Sequence, residues 1–235
     1  MLPQCKAKIF IADERGVEEY NCYRQYSTFS HGKYTNEHKV PFGNLCLLNE
    51  VALAGSQRIT MAVEEGVTLL LLPIVGAVDY LHSNGNSSFA KAGEALFTRI
   101  EKGCYTIINP YENELVSFIQ IWITRESKPQ QTGEVLTFNL DENRNKLVSI
   151  TGMQVGNTSY TNRFFIGKFT GRQEAVCTLT QPGNGLFFYV LHGAFEVQYR
   201  LLHAGDGLAL WELEEAELEA LSNEAIILVA EVPLK

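Results

Sequence analysis

The chain has 235 residues, 46% hydrophobic and 20% charged, enough to bury one large core or two of about 100 residues each. A formal charge of −8, with lysines and arginines scattered singly, excludes the basic footprint of a nucleic-acid binder. The longest apolar run, residues 67–78, is broken by Pro73 and Gly76 and falls short of the roughly 20 residues that cross a bilayer, so no membrane partner is expected.

The opening MLPQCKAKIF has no long apolar core and no small-residue cleavage site, so no secretory signal is expected. Cys5, Cys22, Cys46, Cys104 and Cys177 are widely spaced, without a CxxC pair. That odd, unclustered set suits a reducing, cytoplasmic setting and argues against a zinc or redox centre. Cys104 follows a glycine and could be offered as a nucleophile. No histidine lies near it in sequence, and a small buried apolar residue is the plainer reading.

In chain order, KIFIA, GNLCLL, GVTLLLLPIVG, AVDYLHSNGN, EALFTRI, CYTII and VSFIQIWI alternate short apolar or β-branched runs with glycine and asparagine turns, the pattern of many short strands. Asn84-Gly85 predicts a tight hairpin turn, and Gly93 a second one. Pro73 cannot donate to a ladder, so its strand should be irregular there. From residue 126, ESKPQQTGE is polar and reads as a linker. The strand pattern then resumes through LVSITGMQ, NRFFIGKFT, AVCTLT, LFFYVLHGAFEVQYRLLHAGDGLALW and IILVAEV.

Set side by side, LLLLPIVGAVDYLHSNGNSSFAKAGEALF and LFFYVLHGAFEVQYRLLHAGDGLALW share one plan of apolar strand, glycine, strand, turn, Ala-Gly-acid and apolar strand. They predict an internal repeat, two copies of one small β-barrel that differ in hairpin length. For ELEEAELEALSNEA, helix propensity opposes the alternation of Ala216, Leu218 and Ala220 with Glu215, Glu217 and Glu219. The repeat favours a strand. The acidic face of residues 212–219 reads as solvated surface that could also meet a basic partner.

YSTFSHGKYTNEHKVPFGNLCLLNE, GAVDYLHSNGNSSFAKAGEALF and INPYENELVSFIQIWI resemble the pirin-like proteins of the cupin superfamily, and LVSITGMQ, GDGLALWE and ILVAEVP resemble its short bacterial quercetinase-like bicupins. The resemblance covers nearly the whole chain in motif order. It implies an all-β bicupin, two jelly-roll β-barrels in one chain with few short helices. The domains expected are 1–125, a linker 126–134, and 135–235.

Members of the family bind a divalent metal in the N-terminal barrel through a His-Pro-His run and a later His-Ser-Glu run. Matching Gly76 and the turn SNGN places the first run on Ala62, Val63 and Glu64, and the second near Tyr105, Thr106, Ile107 and Ile108, with a one-residue ambiguity. The metal-ligand positions Ala62, Glu64, Thr106 and Ile108 are thus substituted, and a first-row metal wants at least three imidazole, thiolate or carboxylate donors. No cofactor is expected. His31, His38, His82, His192 and His203 form no HxH pair, and His192 with His203 lacks a visible third partner.

The reading that follows is a cytoplasmic pirin-like protein that has lost its metal and binds a small molecule in the N-terminal barrel, or a protein. The candidate binding residues are Glu64, Phe97, Tyr105, Thr106 and Trp122, with Ile108 and Ile119 as further lining. Glu64 either faces inward, where Arg58, Arg99 or Tyr105 would have to offset its burial, or turns to solvent through a small register change. Two alternatives stand beside it. One is a quercetin 2,3-dioxygenase-like metal-dependent oxidoreductase whose ligands lie elsewhere; the other is a regulatory protein-interaction module.

Overall fold

The computed structural model describes residues 5–124, 133–151 and 162–234. In chain order the strands are β1 (Lys6–Phe10), β2 (Gly16–Glu19), β3 (Tyr23–Ser27), β4 (Leu45–Leu53), β5 (Arg58–Val63), β6 (Val67–Val75) and β7 (Ala77–His82). Next come β8 (Ser87–Lys91), β9 (Glu94–Ile100), β10 (Gly103–Ile108), β11 (Val116–Thr124), β12 (Glu134–Thr137), β13 (Leu147–Ser149) and β14 (Arg163–Phe169). The last seven are β15 (Glu174–Thr178), β16 (Asn184–His192), β17 (Ala194–Val197), β18 (Arg200–His203), β19 (Gly207–Trp211), β20 (Glu215–Ala220) and β21 (Ala225–Pro233). Among the described residues the one helix is a 3-10 turn at Ala12–Glu14, and none is long and apolar enough to cross a membrane. The fold is all-β, as the sequence pattern predicts.

Two compact units divide the chain. Residues 16–41 and 45–137 make the first barrel, with sheets ordered β12-β9-β6-β11-β4-β3-β2 and β5-β10-β7-β8. Residues 1–15, 42–44 and 138–235 make the second, with sheets β1-β19-β16-β21-β14-β13 and β15-β20-β17-β18. This division departs from the boundaries 1–125, 126–134 and 135–235 at three places, one being residues 42–44, which group with the second barrel. β1 pairs with β19 along Lys6–Trp211 to Phe10–Gly207, although it precedes the first barrel in sequence. β12 pairs with β9, Glu134 opposite Phe97, so the end of the expected linker is a strand of the first barrel. An open sheet edge presents unpaired amides and carbonyls, and β12 covers one in the first barrel while β1, remote in sequence from β19, covers one in the second. Residues 125–132, most of that linker, lie outside the described residues.

The internal repeat is visible in backbone geometry. Gly76 and Gly193 hold φ of 76° and 77°, and Gly93 and Gly205 hold 86° and 85°. Each long strand also carries an extra residue two positions before its glycine. Ile74 is skipped where Phe118 faces Pro73 and Ser117 faces Val75, and Leu191 is skipped where Val190 faces Ile227 and His192 faces Ile226. Pro73 therefore sits beside a bulge, beyond the part of β6 that β9 pairs. The hairpins differ as expected. β17 and β18 turn through Gln198 and Tyr199, both with positive φ, whereas in the longer β7–β8 turn Gly85 alone, not Asn84, takes φ of 92°. β20 is a strand with Ala216, Leu218 and Ala220 buried in the second core, so tertiary pairing overrides helix propensity there.

A Cβ at Gly76 would lie 2.8 Å from Val116 Cγ1, and one at Gly193 would lie 2.3 Å from Ser222 Oγ, both in a left-handed backbone. Gly76→Ala and Gly193→Ala are each expected to lower unfolding free energy by about 1–3 kcal/mol in urea titrations. A neutral result at either glycine would break the structural equivalence of the two turns.

Candidate functional site

In β5 the residues Ile59, Met61 and Val63 turn toward the first core, leaving Arg58, Thr60 and Ala62 outside. β10 runs beside it with Tyr105 opposite Met61 and Ile107 opposite Ile59, both buried, so Cys104, Thr106 and Ile108 take the outer face. Ala62, Thr106 and Ile108 therefore lie outside the barrel, where the Thr60 and Thr106 hydroxyls bond to each other at 2.9 Å. Glu64 is exposed just past the end of β5, and Arg99 pairs instead with Glu101 at 3.0 Å. The predicted His-x-His spacing keeps these positions on one face. It does not say which face, because one residue of register exchanges inside for outside.

Phe97 and Ile119 are also displaced from the interior. They lie on the opposite face of the larger sheet, Phe97 facing Leu70 and Ile119 facing Leu72 across the ladder. Cys104 is exposed rather than buried. His82, register partner of Tyr105, shares the tyrosine's face and so points away from the Cys104 thiol.

Tyr105 and Trp122 are brought together. Tyr105 on β10 is 0% exposed, and its hydroxyl accepts hydrogen bonds from Trp122 Nε1 at 2.7 Å and from Gln120 Nε2, both on β11 of the other sheet. Burial pushes the phenol far above its ordinary value against the lowering effect of those two bonds, so it stays protonated. Its oxygen spends its lone pairs on two donors, which leaves the O–H free to donate. Tyr80 stacks at 5.8 Å from Tyr105, its own phenol pushed up by burial with the Thr98 hydroxyl opposing. Cys46 donates its thiol to Trp122 O at 3.4 Å and is pushed up to about 11 by burial. His31 meets Trp122 edge-on at 4.9 Å, and burial holds its imidazole below 6.5 against a raising pull from Glu18.

Beside this cluster runs a polar row that the sequence reading missed. Asn49 on β4 lies opposite both Ser27 and Gln120, on the face that carries Leu47, Val51, Phe118 and Trp122 into the core. Asn49 is 1% and Gln120 0% exposed. Neither amide atom of Asn49, nor Oε1 of Gln120, has a hydrogen-bond partner among the described residues. Each such group costs about 1–3 kcal/mol when buried unpaired. Asn within LCLLNEVAL and Gln within VSFIQIWI, each at an inward position of an apolar strand, were the available signal.

The matching end of the second barrel is built differently. Glu231, 1% exposed, accepts from Thr180 N at 3.0 Å, Thr180 Oγ1 at 2.9 Å, Gln181 N at 3.2 Å and Asn184 Nδ2 at 2.9 Å. Arg163 Nη1 stands 3.7 Å away. That carboxylate is used up in holding the loop between β15 and β16. Nearby Cys177 is pushed up to about 12 by burial and by the charge of Glu231, so it is an inert thiol. His192 and His203 are exposed.

Comparison with known proteins shows what this architecture is similar to. Residues 160–232 match the quercetinase C-terminal cupin domain. The pirin-like protein YhaK of Escherichia coli (strain K12) is 23% identical over 95% of this chain and 94% of its own length. Quercetin 2,3-dioxygenase of the same strain is 20% identical over 92% of this chain and 95% of its own. A crystal structure of E. coli YhhW aligns over 97% of this chain and 98% of that one with a TM-score of 0.85, at 20% identity. Its nickel(II) complex, described as a bacterial pirin, aligns over 97% and 99% with a TM-score of 0.79, at 19% identity. The fold is that of the pirin-like bicupins.

A pirin-like bicupin is expected to offer a divalent metal a set of imidazole and carboxylate donors, and the residues here do not fit that expectation. On the inner face the groups near Tyr105 are neutral amides, a protonated phenol, and a thiol held protonated. His82 lies at the rim, with Nδ1 accepting from Asn84 N at 3.2 Å, and His31 packs on Trp122. Among the described residues no three of His, Cys, Asp and Glu converge on one point. First-row metals need such convergence.

Tyr105→Phe orphans two buried N–H donors and is expected to cost about 2–4 kcal/mol in urea unfolding, with a changed emission from Trp122. An unchanged midpoint would mean the hydroxyl is not the shared acceptor. For His31, a depressed folded value means the unfolded chain binds this proton more readily. Its contribution is therefore full above 6.5 and is lost as pH falls below it. The urea midpoint should drop between about pH 7.5 and about pH 5.5, and His31→Gln should flatten that dependence.

Proposed function

We propose that this pirin-like bicupin is a binding protein whose first barrel takes a small organic molecule by hydrogen bonding and aromatic contact, without metal-dependent oxidation. The observation that carries the reading is the Tyr105 hydroxyl held by Gln120 and Trp122 inside that barrel, a neutral hydrogen-bonded cluster where a metal centre would need ionised or imidazole donors. Trp122, Tyr80 and Tyr105 give the site aromatic walls, and the Tyr105 O–H is its available donor. Of the binding residues named from sequence, the reading keeps Tyr105 and Trp122. All five cysteines are free, which suits a reducing compartment, and we place the protein in the cytoplasm.

A second reading is a quercetin 2,3-dioxygenase, favoured by the similarity over nearly its whole length to the E. coli enzyme of that name. It requires a metal held by donors that come together only on loading. Protein purified without chelators and then incubated with nickel(II) or iron(II) separates the two. The binding reading expects substoichiometric metal and no oxygen uptake with quercetin. Stoichiometric metal together with chelator-sensitive oxygen uptake would establish the oxidoreductase instead.

A further inference from the structure

The two barrels provide an internal control for the polar row. Counted from Gly76 and Gly193, Tyr80 and Val197 occupy the same place, and their ladder partners Ile107 and Leu218 match in turn. Two residues back along those strands, Tyr105 corresponds to Ala216. Leu71 and Phe188 also correspond, so their partners Gln120 and Val229 do, and the next strand over matches Asn49 with Phe165. Four polar interior residues of the first barrel thus stand where the second has alanine, phenylalanine and two valines. The same scaffold closes without them. The Tyr105 oxygen is held by two donors across the sheets, but Asn49 and Gln120 Oε1 bury polar atoms without partners, which is unfavourable in itself.

We propose that Asn49 and Gln120 form the recognition end of a site for a neutral small molecule bearing a carboxamide, lactam or imide edge. The inference rests on the metal-free reading of the first barrel and names its ligand class. An Asn carboxamide with both atoms unpartnered presents one donor and one acceptor side by side. Its complement is another amide edge, whose N–H donates to Asn49 Oδ1 and whose carbonyl accepts from Asn49 Nδ2. Gln120 Oε1 accepts a second N–H, and the Tyr105 O–H, held beside it, donates to a further carbonyl or hydroxyl. The residues flanking the two amides on this face are Ser27, Leu47, Val51, Leu71, Phe118 and Trp122, all uncharged. A carboxylate or an ammonium would enter without a counter-charge, so the site selects against ions.

The test is 15N NMR of side-chain amide groups in the full chain, with signals assigned through Asn49→Leu and Gln120→Val, the latter installing the residue the second barrel already uses. Formamide, acetamide and benzamide are titrated in turn, with benzoate and toluene as the charged and apolar matches for benzamide. The expected result is saturable movement of the Asn49 and Gln120 signals with at least one amide, none with benzoate, and at least a tenfold weaker response of the remaining signal in either variant. Folding of the variants is checked by their backbone spectra. Equal responses to toluene and benzamide, or still signals under all three amides in metal-free protein, overturn this inference alone. Stoichiometric metal with flavonol turnover instead defeats the reading it rests on.

Discussion

One phenol ties the two sheets of the first barrel together. The Tyr105 hydroxyl comes from the four-stranded sheet, and both of its donors, on Gln120 and Trp122, come from the seven-stranded one. Most of what joins these sheets is non-directional apolar contact among residues such as Val51, Leu71, Phe118 and Ile107. A hydrogen bond with two fixed donors adds a preferred position along the strands. In a low-dielectric interior such a network is worth most when every member is satisfied and is costly when one is not. The cluster is satisfied around the Tyr105 oxygen and unsatisfied at Asn49 and at Gln120 Oε1.

Duplication makes the contrast legible. Both barrels use paired left-handed glycines and a one-residue bulge at the same place in their long strands. Their interiors have diverged. At the place matching Trp122 the second barrel has Glu231, which spends its acceptor capacity on Thr180, Gln181 and Asn184. A buried carboxylate must be met by donors, and here the loop between β15 and β16 supplies them. In the second barrel that carboxylate is spent on its own loop, while Asn49 and Gln120 Oε1 of the first face inward without partners among the described residues.

Much of this fold is legible in the residues. Glycine positions, the Asn84-Gly85 turn region, the irregularity at Pro73 and the alternation across 215–220 all follow from local constraints, since positive φ, a missing N–H and a period of two are properties of single residues and near neighbours. The candidate site was legible only in part. Tyr105 and Trp122 were named from the sequence; Glu64, Thr106 and Phe97 were named with them and point elsewhere, and Asn49 and Gln120 were passed over. Both errors have one source. A sequence shows that residues two apart share a face, but whether that face looks inward depends on which ladder the strand joins and at what register.

By itself, then, the sequence determined the strand pattern, the duplication and the all-β class, because each is written in short-range chemistry that any pairing partner must respect. The tertiary structure alone decided that Ala62, Thr106 and Ile108 look outward, that β1 and β12 cross the apparent domain boundaries, and that Asn49 meets Gln120. Those outcomes depend on pairing between segments tens of residues apart, where a slip of one position reverses the face of every side chain in a strand.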